Sequence, residues 1–271
     1  MSTVRLLDKV ITENLIVEKR GQIGWITFND PGRHNAVSYD MWVGIPIALA
    51  AFAADEDIRA VVLTGAGEKA FVSGANISQF EKLRTAADAV AEYERVGEAA
   101  QAAIYDFVKP TIARIQGYCI GGGLNISLCC DVRIASPDSS FAIPAGKLGL
   151  GYRLTAIRNL INTVGGPTAI NIMLSAARFT AAEALDMKLI QYMAAPGELD
   201  ATLDAYLAKV AANAPLTLQT AKASIREFQR IAPHIDVEKI NAMVLGCFAS
   251  DDYQEGKRAF AEKRAPVFRG K

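Results

Sequence analysis

An α/β fold is predicted for this chain of 271 residues, and two observations predict it. The first is an apolar strand that runs into a helix through three successive glycines, Ile115-Gln116-Gly117-Tyr118-Cys119-Ile120-Gly121-Gly122-Gly123-Leu124-Asn125-Ile126. The second is that strand, turn, helix and strand recur along the chain without a clear internal sequence duplication. Helices dominate from Leu154 onward. No low-complexity linker separates them from the rest, so the expected organisation is a core over 1–195 and a helical region over 196–271.

In chain order, residues 15–18 and 23–28 are β-rich and flank Lys19-Arg20-Gly21-Gln22, which predicts a hairpin. Residues 29–35 form a Pro/Gly/Asn loop, and Ser38 is placed to cap a helix running to about Ala54. Pro46 is expected to kink or shorten that helix. Residues 58–64 and then Phe71-Val72 read as strands around Gly65-Ala66-Gly67. Thr85 is the expected cap of an alanine-rich helix to about Phe107, with Val90, Tyr93, Val96, Ala100 and Ile104 on one face. A strand at 111–115, the glycine turn, a short helix to Cys130 and a strand at 132–135 follow. Further helices are expected at 154–164, 167–175, 181–186, 198–213, 216–229 and 236–261, the last broken near Ser250.

Composition limits the function classes. Apolar residues make up 51% of the chain and charged residues 21%, enough for a sizeable core. The 29 basic and 29 acidic residues cancel, and no Lys/Arg run gives a local field, so neither nucleic acid nor a membrane surface is an expected partner. Residues 1–14 lack the pattern of a signal peptide, and the longest apolar stretch, 43–54, is shorter than the about 20 residues a bilayer needs. Cys119, Cys129, Cys130 and Cys247 lack paired metal spacing. A cytoplasmic protein with reduced thiols and no bound metal is expected.

The chemistry is sought at the glycine triplet. The first turn of a helix carries N–H groups without intrahelical partners and the positive end of the dipole, which suits a developing oxyanion. Simple close packing of a strand against a helix would use the same glycines. A second stretch, Lys69-Ala70-Phe71-Val72-Ser73-Gly74-Ala75-Asn76-Ile77, reads as a strand ending at a glycine, whose next N–H could also point out of a sheet edge. Together they would form a two-donor hole.

With these two turns the chain resembles the crotonase, or enoyl-CoA hydratase/isomerase, family. In that family an A/S-G-A-D-I turn and a later G-G-G turn supply paired N–H groups to a thioester oxygen. The resemblance runs in order from Asn35-Ala36 to the segment Phe260-Ala261-Glu262-Lys263-Arg264-Ala265-Pro266-Val267-Phe268. It implies a spiral of β-β-α turns with a C-terminal helical region, an acyl-CoA thioester as partner, and a homotrimer or dimer of trimers. No separate cofactor is implied, coenzyme A being part of the substrate. The donors become Ala75 and Gly122. The coenzyme A contacts become Arg33 and Ala36, the first turn at Ser73, Asn76 and Ile77, and Phe260 and Lys263 of the terminal F-x-x-K pattern. A solvated Lys263 and a packed Phe260 fit the sequence equally. Ser78 stands where many relatives carry lysine.

The chain departs from a hydratase at the acid–base positions. Where hydrating relatives carry two glutamates, it has Asn125 and Ala145, and neither can transfer a proton at neutral pH. Lys147 and Tyr152 either border the acyl pocket or serve as a surface lysine and a packed tyrosine. Residues 141–160 also resemble the methylmalonyl-CoA decarboxylase branch, which has a tyrosine in the place of Tyr152. Decarboxylation is therefore the expected reaction, with hydratase or isomerase activity through substitute residues and a non-catalytic acyl-CoA binder as alternatives. No G-x-G-x-x-G, G-x-x-x-x-G-K-[ST] or G-x-S-x-G pattern is present. A Cys119 nucleophile would need His34 or His234 beside it, so Cys119 is expected to be a packing residue.

Overall fold

The structure, a computed structural model, describes residues 3–5, 12–76, 87–230 and 237–268. Ile77, Ser78, Thr85 and His234 lie outside these residues, as do the side chains of Val90, Ile240 and Met243. The chain opens with three antiparallel strands, β1 (Thr3–Arg5), β2 (Leu15–Arg20) and β3 (Ile23–Phe28). The hairpin is tighter than expected: Arg20 pairs with Ile23, so only Gly21 and Gln22 connect the strands. Helix α1 (Tyr39–Ala54) starts at Ser38, whose Oγ accepts the Met41 N–H at 3.3 Å.

Pro46 does not shorten α1, which continues unbroken to Ala54. An internal proline costs about 3 kcal/mol. Burial of Met41, Trp42, Ile45, Ala48, Leu49 and Phe52 offsets it, at about 1.5–3 kcal/mol for each large side chain.

From here the chain repeats one pattern, a strand in a large sheet, a short strand in a small sheet, and a helix. The first turn is β4 (Ala60–Gly65), β5 (Ala70–Val72) and α2 (Ala87–Tyr105). The second is β6 (Thr111–Ile115), β7 (Tyr118–Ile120) and α3 (Gly122–Cys129). The third is β8 (Val132–Ala135), β9 (Ser140–Ala142), a 3-10 turn (Pro144–Leu148) and α4 (Leu154–Ser175). Gly165, at φ 75°, breaks α4 into the two expected helices. Then come β10 (Arg178–Thr180), α5 (Ala181–Asp186) and β11 (Tyr192–Met193). The large sheet has the order β1-β2-β3-β4-β6-β8-β11 and the small one β10-β9-β7-β5. This is the expected α/β spiral.

The sheets enclose the main core, in which Phe28, Phe52, Phe71 and Phe141 are fully buried. Parallel strands are covered on both faces. Accordingly Val61 and Leu63 of β4 face the main core, while Ala60 and Val62 face Leu199, Leu203 and Leu207 of α6 (Leu199–Ala211). Three helices complete the described chain: α7 (Pro215–Arg230), α8 (Val237–Ala249) and α9 (Asp251–Ala261), with Ser250 capping the last. Along α7 no residue is buried, and Leu216 and Phe228 are 76% and 77% exposed.

Candidate active site

The turn after β7 is fixed by backbone geometry that only glycine meets. Gly121 caps α3 at φ 56° and ψ −116°, outside the regions open to L side chains. A Cβ on Gly123 would stand 2.0 Å from the Val72 carbonyl oxygen, so α3 can lie this close to β5 only without a side chain there. Gly121 spends its N–H on the Ala142 carbonyl at 2.8 Å. The Gly122 N–H, first in the helix, has no acceptor among the described residues.

Opposite this turn, the chain after β5 is clamped by the loop before α1. The Val37 N–H donates to the Gly74 carbonyl at 2.8 Å and the Asn76 N–H to the Val37 carbonyl at 3.0 Å. This parallel bridge of Val37 with Ala75 turns Ala75's own N–H away from Val37. A Cβ on Gly122 would lie 3.5 Å from the Ala75 nitrogen, so the two residues face each other across a gap about one atom wide. The Ala75 N–H also has no acceptor among the described residues. Two open backbone donors thus converge, one at the positive end of a helix.

Asn35, read only as part of a motif, is the buried hub of the clamp. Its Oδ1 accepts the Asp30 N–H at 3.0 Å, and its Nδ2 donates to the Ala66 and Ala70 carbonyls at 3.0 and 2.7 Å. Ser73 donates through its N–H to the His34 carbonyl and through Oγ to the Arg33 carbonyl. Tyr93 ties the loop to the helices: its hydroxyl donates to the Val37 carbonyl and accepts the Trp42 indole N–H. Burial pushes the Tyr93 hydroxyl up to about 12.

Asn125 sits on the inner face of α3, 5% exposed. Its Nδ2 donates to Gln101 Oε1 at 2.6 Å, leaving its buried Oδ1 without a partner among the described residues. Gln101 was not anticipated, because it lies on α2, far from any motif. Ala145 is buried in the main core. Tyr152 packs its ring against that core, and its buried hydroxyl likewise has no partner among the described residues. Burial, and then the nearby Cys129 and Cys119 thiols, raise its pKa well above the usual phenol range, so it stays a neutral donor.

The remaining predicted contacts are peripheral. Arg33 pairs with Asp30 at 3.2 Å and is largely exposed; Ala36 is half-buried behind it. Lys147 is exposed on the 3-10 turn, against which α9 packs. Phe260 and Lys263 are exposed at the end of α9. Cys119 is fully buried, its thiol pushed up to about 12 by burial, whereas His34 is exposed. A buried, protonated thiol is a packing group.

A spiral of β-β-α turns with two converging open backbone donors defines the crotonase class of acyl-CoA enzymes. The chain belongs to the enoyl-CoA hydratase/isomerase family, whose model matches residues 18–271. A short-chain-enoyl-CoA hydratase from Clostridium acetobutylicum is 30% identical over 251 residues, covering 93% of this chain and 95% of that protein. An enoyl-CoA hydratase/carnithine racemase from Magnetospirillum magneticum superposes with a TM-score of 0.78 at 32% identity, covering 96% of this chain and 97% of its own. A methylmalonyl-CoA decarboxylase in complex with 2-nitronate-propionyl-CoA superposes with a TM-score of 0.87 at 26% identity, covering 96% and 99%.

Proposed function

We propose that this acyl-CoA enzyme of the crotonase family is a carbon–carbon lyase of the methylmalonyl-CoA decarboxylase type. The reading is carried by the residue types at three positions, 125, 145 and 152. By the family resemblance Asn125 and Ala145 stand where hydrating relatives carry glutamates, and Tyr152 offers a buried, neutral hydroxyl without a partner among the described residues. Hydration needs a base to activate water and an acid to protonate the α-carbon, each usually contributing about 10²- to 10⁴-fold. Decarboxylation needs neither. The bond between the α-carbon and the carboxylate breaks, carbon dioxide leaves without the electron pair, and that pair delocalises onto the thioester oxygen held by the Ala75 and Gly122 N–H groups. The enolate then takes a proton at the α-carbon from water.

The absence of carboxylates at 125 and 145 spares a substrate carboxylate two repulsive neighbours, and Tyr152 can donate to it. The higher TM-score with the decarboxylase supports the reading. Coenzyme A enters as part of the substrate, along Arg33, Ala36, Ser73 and Asn76 on one side and Phe260 with Lys263 on the other.

The sequence relatives favour a second reading, hydration or isomerisation through substitute groups, with Asn125 holding water. Offering methylmalonyl-CoA and crotonyl-CoA side by side separates the two. Release of carbon dioxide and propionyl-CoA is expected. Efficient water addition to crotonyl-CoA with no carbon dioxide would overturn the decarboxylase reading, and turnover of neither would favour a non-catalytic binder.

The assembly proposed is a homotrimer or dimer of trimers, because α7 and α8 leave Leu216, Phe228 and Leu245 more than half exposed; the proposed cytoplasmic location follows from the sequence alone. A monomeric mass by light scattering at micromolar concentration would refute it.

A further inference from the structure

At the opposite end of α3 from the donor pair lies a cavity of about 370 Å³, between the large sheet and α7, lined in part by Arg133, Lys222, Arg226, Asp131 and Tyr206. That volume is within the range of about 300–1,000 Å³ typical of small-molecule sites. Three cations and one carboxylate give its wall a net charge of +2.

The carboxylate is already committed. Asp131 Oδ2 accepts from the Thr111 N–H and Oγ and from Lys222 Nζ at 2.7 Å, and its Oδ1 accepts from Arg226 Nη2 at 3.0 Å. Arg133 is only 4% exposed and has no carboxylate at ion-pair distance among the described residues. Its Nε donates to the Leu189 carbonyl and its Nη1 to the Ser127 and Cys130 carbonyls. Nη2, with two N–H groups, has no partner among the described residues. Lys222 uses two of its three donors, on Asp131 and on the Lys109 carbonyl. Arg226 is held rigid with its guanidinium 3.7 Å from the centre of the Tyr105 ring.

A buried guanidinium with an open fork and no direct counter-charge, on the wall of a cationic cavity, is a receptor for an oxyanion. We propose that this cavity is a second binding site for a small anion bearing a phosphate or carboxylate group, separate from the acyl-CoA site. The anion would meet Arg133 Nη2 and the free Lys222 donor. It would supply the charge that the three carbonyls around the Arg133 guanidinium, those of Ser127, Cys130 and Leu189, do not.

The test is isothermal titration of the full chain with inorganic phosphate and, in a second arm, succinate, at constant ionic strength. Wild type should bind one of them saturably with Kd below roughly 1 mM. Lys222→Met, which leaves Arg226 on Asp131, should weaken binding by about tenfold or more, and Arg133→Met by at least as much where it folds. Lys209→Ala, on the exposed side of α6, should bind as wild type does, and saturating free coenzyme A should not displace the anion. The arm that binds tells phosphate from carboxylate. No saturable binding of either anion, unchanged binding in Lys222→Met, or displacement by coenzyme A would each overturn the proposal.

Discussion

Gly122 is presented by a segment whose constraints are local, whereas Ala75 is presented by one held from a loop far upstream. On the Gly122 side, Gly121 supplies the turn, Gly123 supplies the close approach to β5, and α3 supplies the dipole. On the Ala75 side the chain after β5 has a single local device, Gly74 at φ 125°, and is otherwise held from a distance. Asn35, Val37 and Tyr93 hold it through hydrogen bonds to backbone. One half of the two-donor site is thus written into a short motif, while the other half needs, besides Gly74, contacts from residues as far away as Asn35 and Tyr93.

That contrast can be broken on either side. The largest effect is expected from Gly123→Ala, because its Cβ would fall 2.0 Å from a backbone oxygen that cannot step aside. Overpacking costs typically 1–3 kcal/mol, and a backbone clash this close should cost at least about 3 kcal/mol. A urea unfolding midpoint equal to wild type would show that α3 and β5 are not in fact locked together. On the other side, Asn35→Ala removes the amide from the Ala66 and Ala70 carbonyls and places a Cβ residue at φ 56° without a polar side chain. The expected loss is about 2 kcal/mol, measurable in the same denaturation series.

The smallest effect tests the tyrosine that joins the clamp to the helices. The folded state raises the Tyr93 hydroxyl from its ordinary 10 to about 12, so its contribution is fully present below pH 10 and is lost as pH rises towards 12. Trp42, which donates to that hydroxyl, should report the loss by fluorescence in this window. A Trp42 signal that changes instead between pH 7 and 9 would contradict the assignment. Tyr93→Phe should remove the transition altogether.

What the sequence revealed follows the same divide. The strands at Thr111–Ile115 and Val132–Ala135, the Ser38 cap and the break before Asp251 were legible because each signal lies within a few residues. The small sheet was not, apart from β5. Strands of three residues such as Tyr118–Ile120 and Ser140–Ala142 have no periodicity to read and exist only through their pairing. Pro46 misled for a related reason, since the local rule against an internal proline yields to the buried face of α1. Of the site, the two turns that bring Ala75 and Gly122 face to face were legible from motif order. Asn35 as a hub and Gln101 as the partner of Asn125 were not, because both act across long sequence separations.

Binding tests the proposed preorganised hole of the Ala75 and Gly122 N–H groups for a thioester oxyanion without requiring turnover. Isothermal titration should compare propionyl-CoA with its 2-nitronate analogue, which carries the negative charge of an enolate. Wild type should bind the nitronate about 100-fold more tightly or better. Gly122→Pro, which keeps a residue favoured at the first helical position but deletes the donor, should lose most of that preference, a change of about 100- to 1,000-fold, with propionyl-CoA affinity nearly unchanged. Equal affinity of wild type for the two ligands, or a preference that survives in Gly122→Pro with circular dichroism intact, would contradict the account.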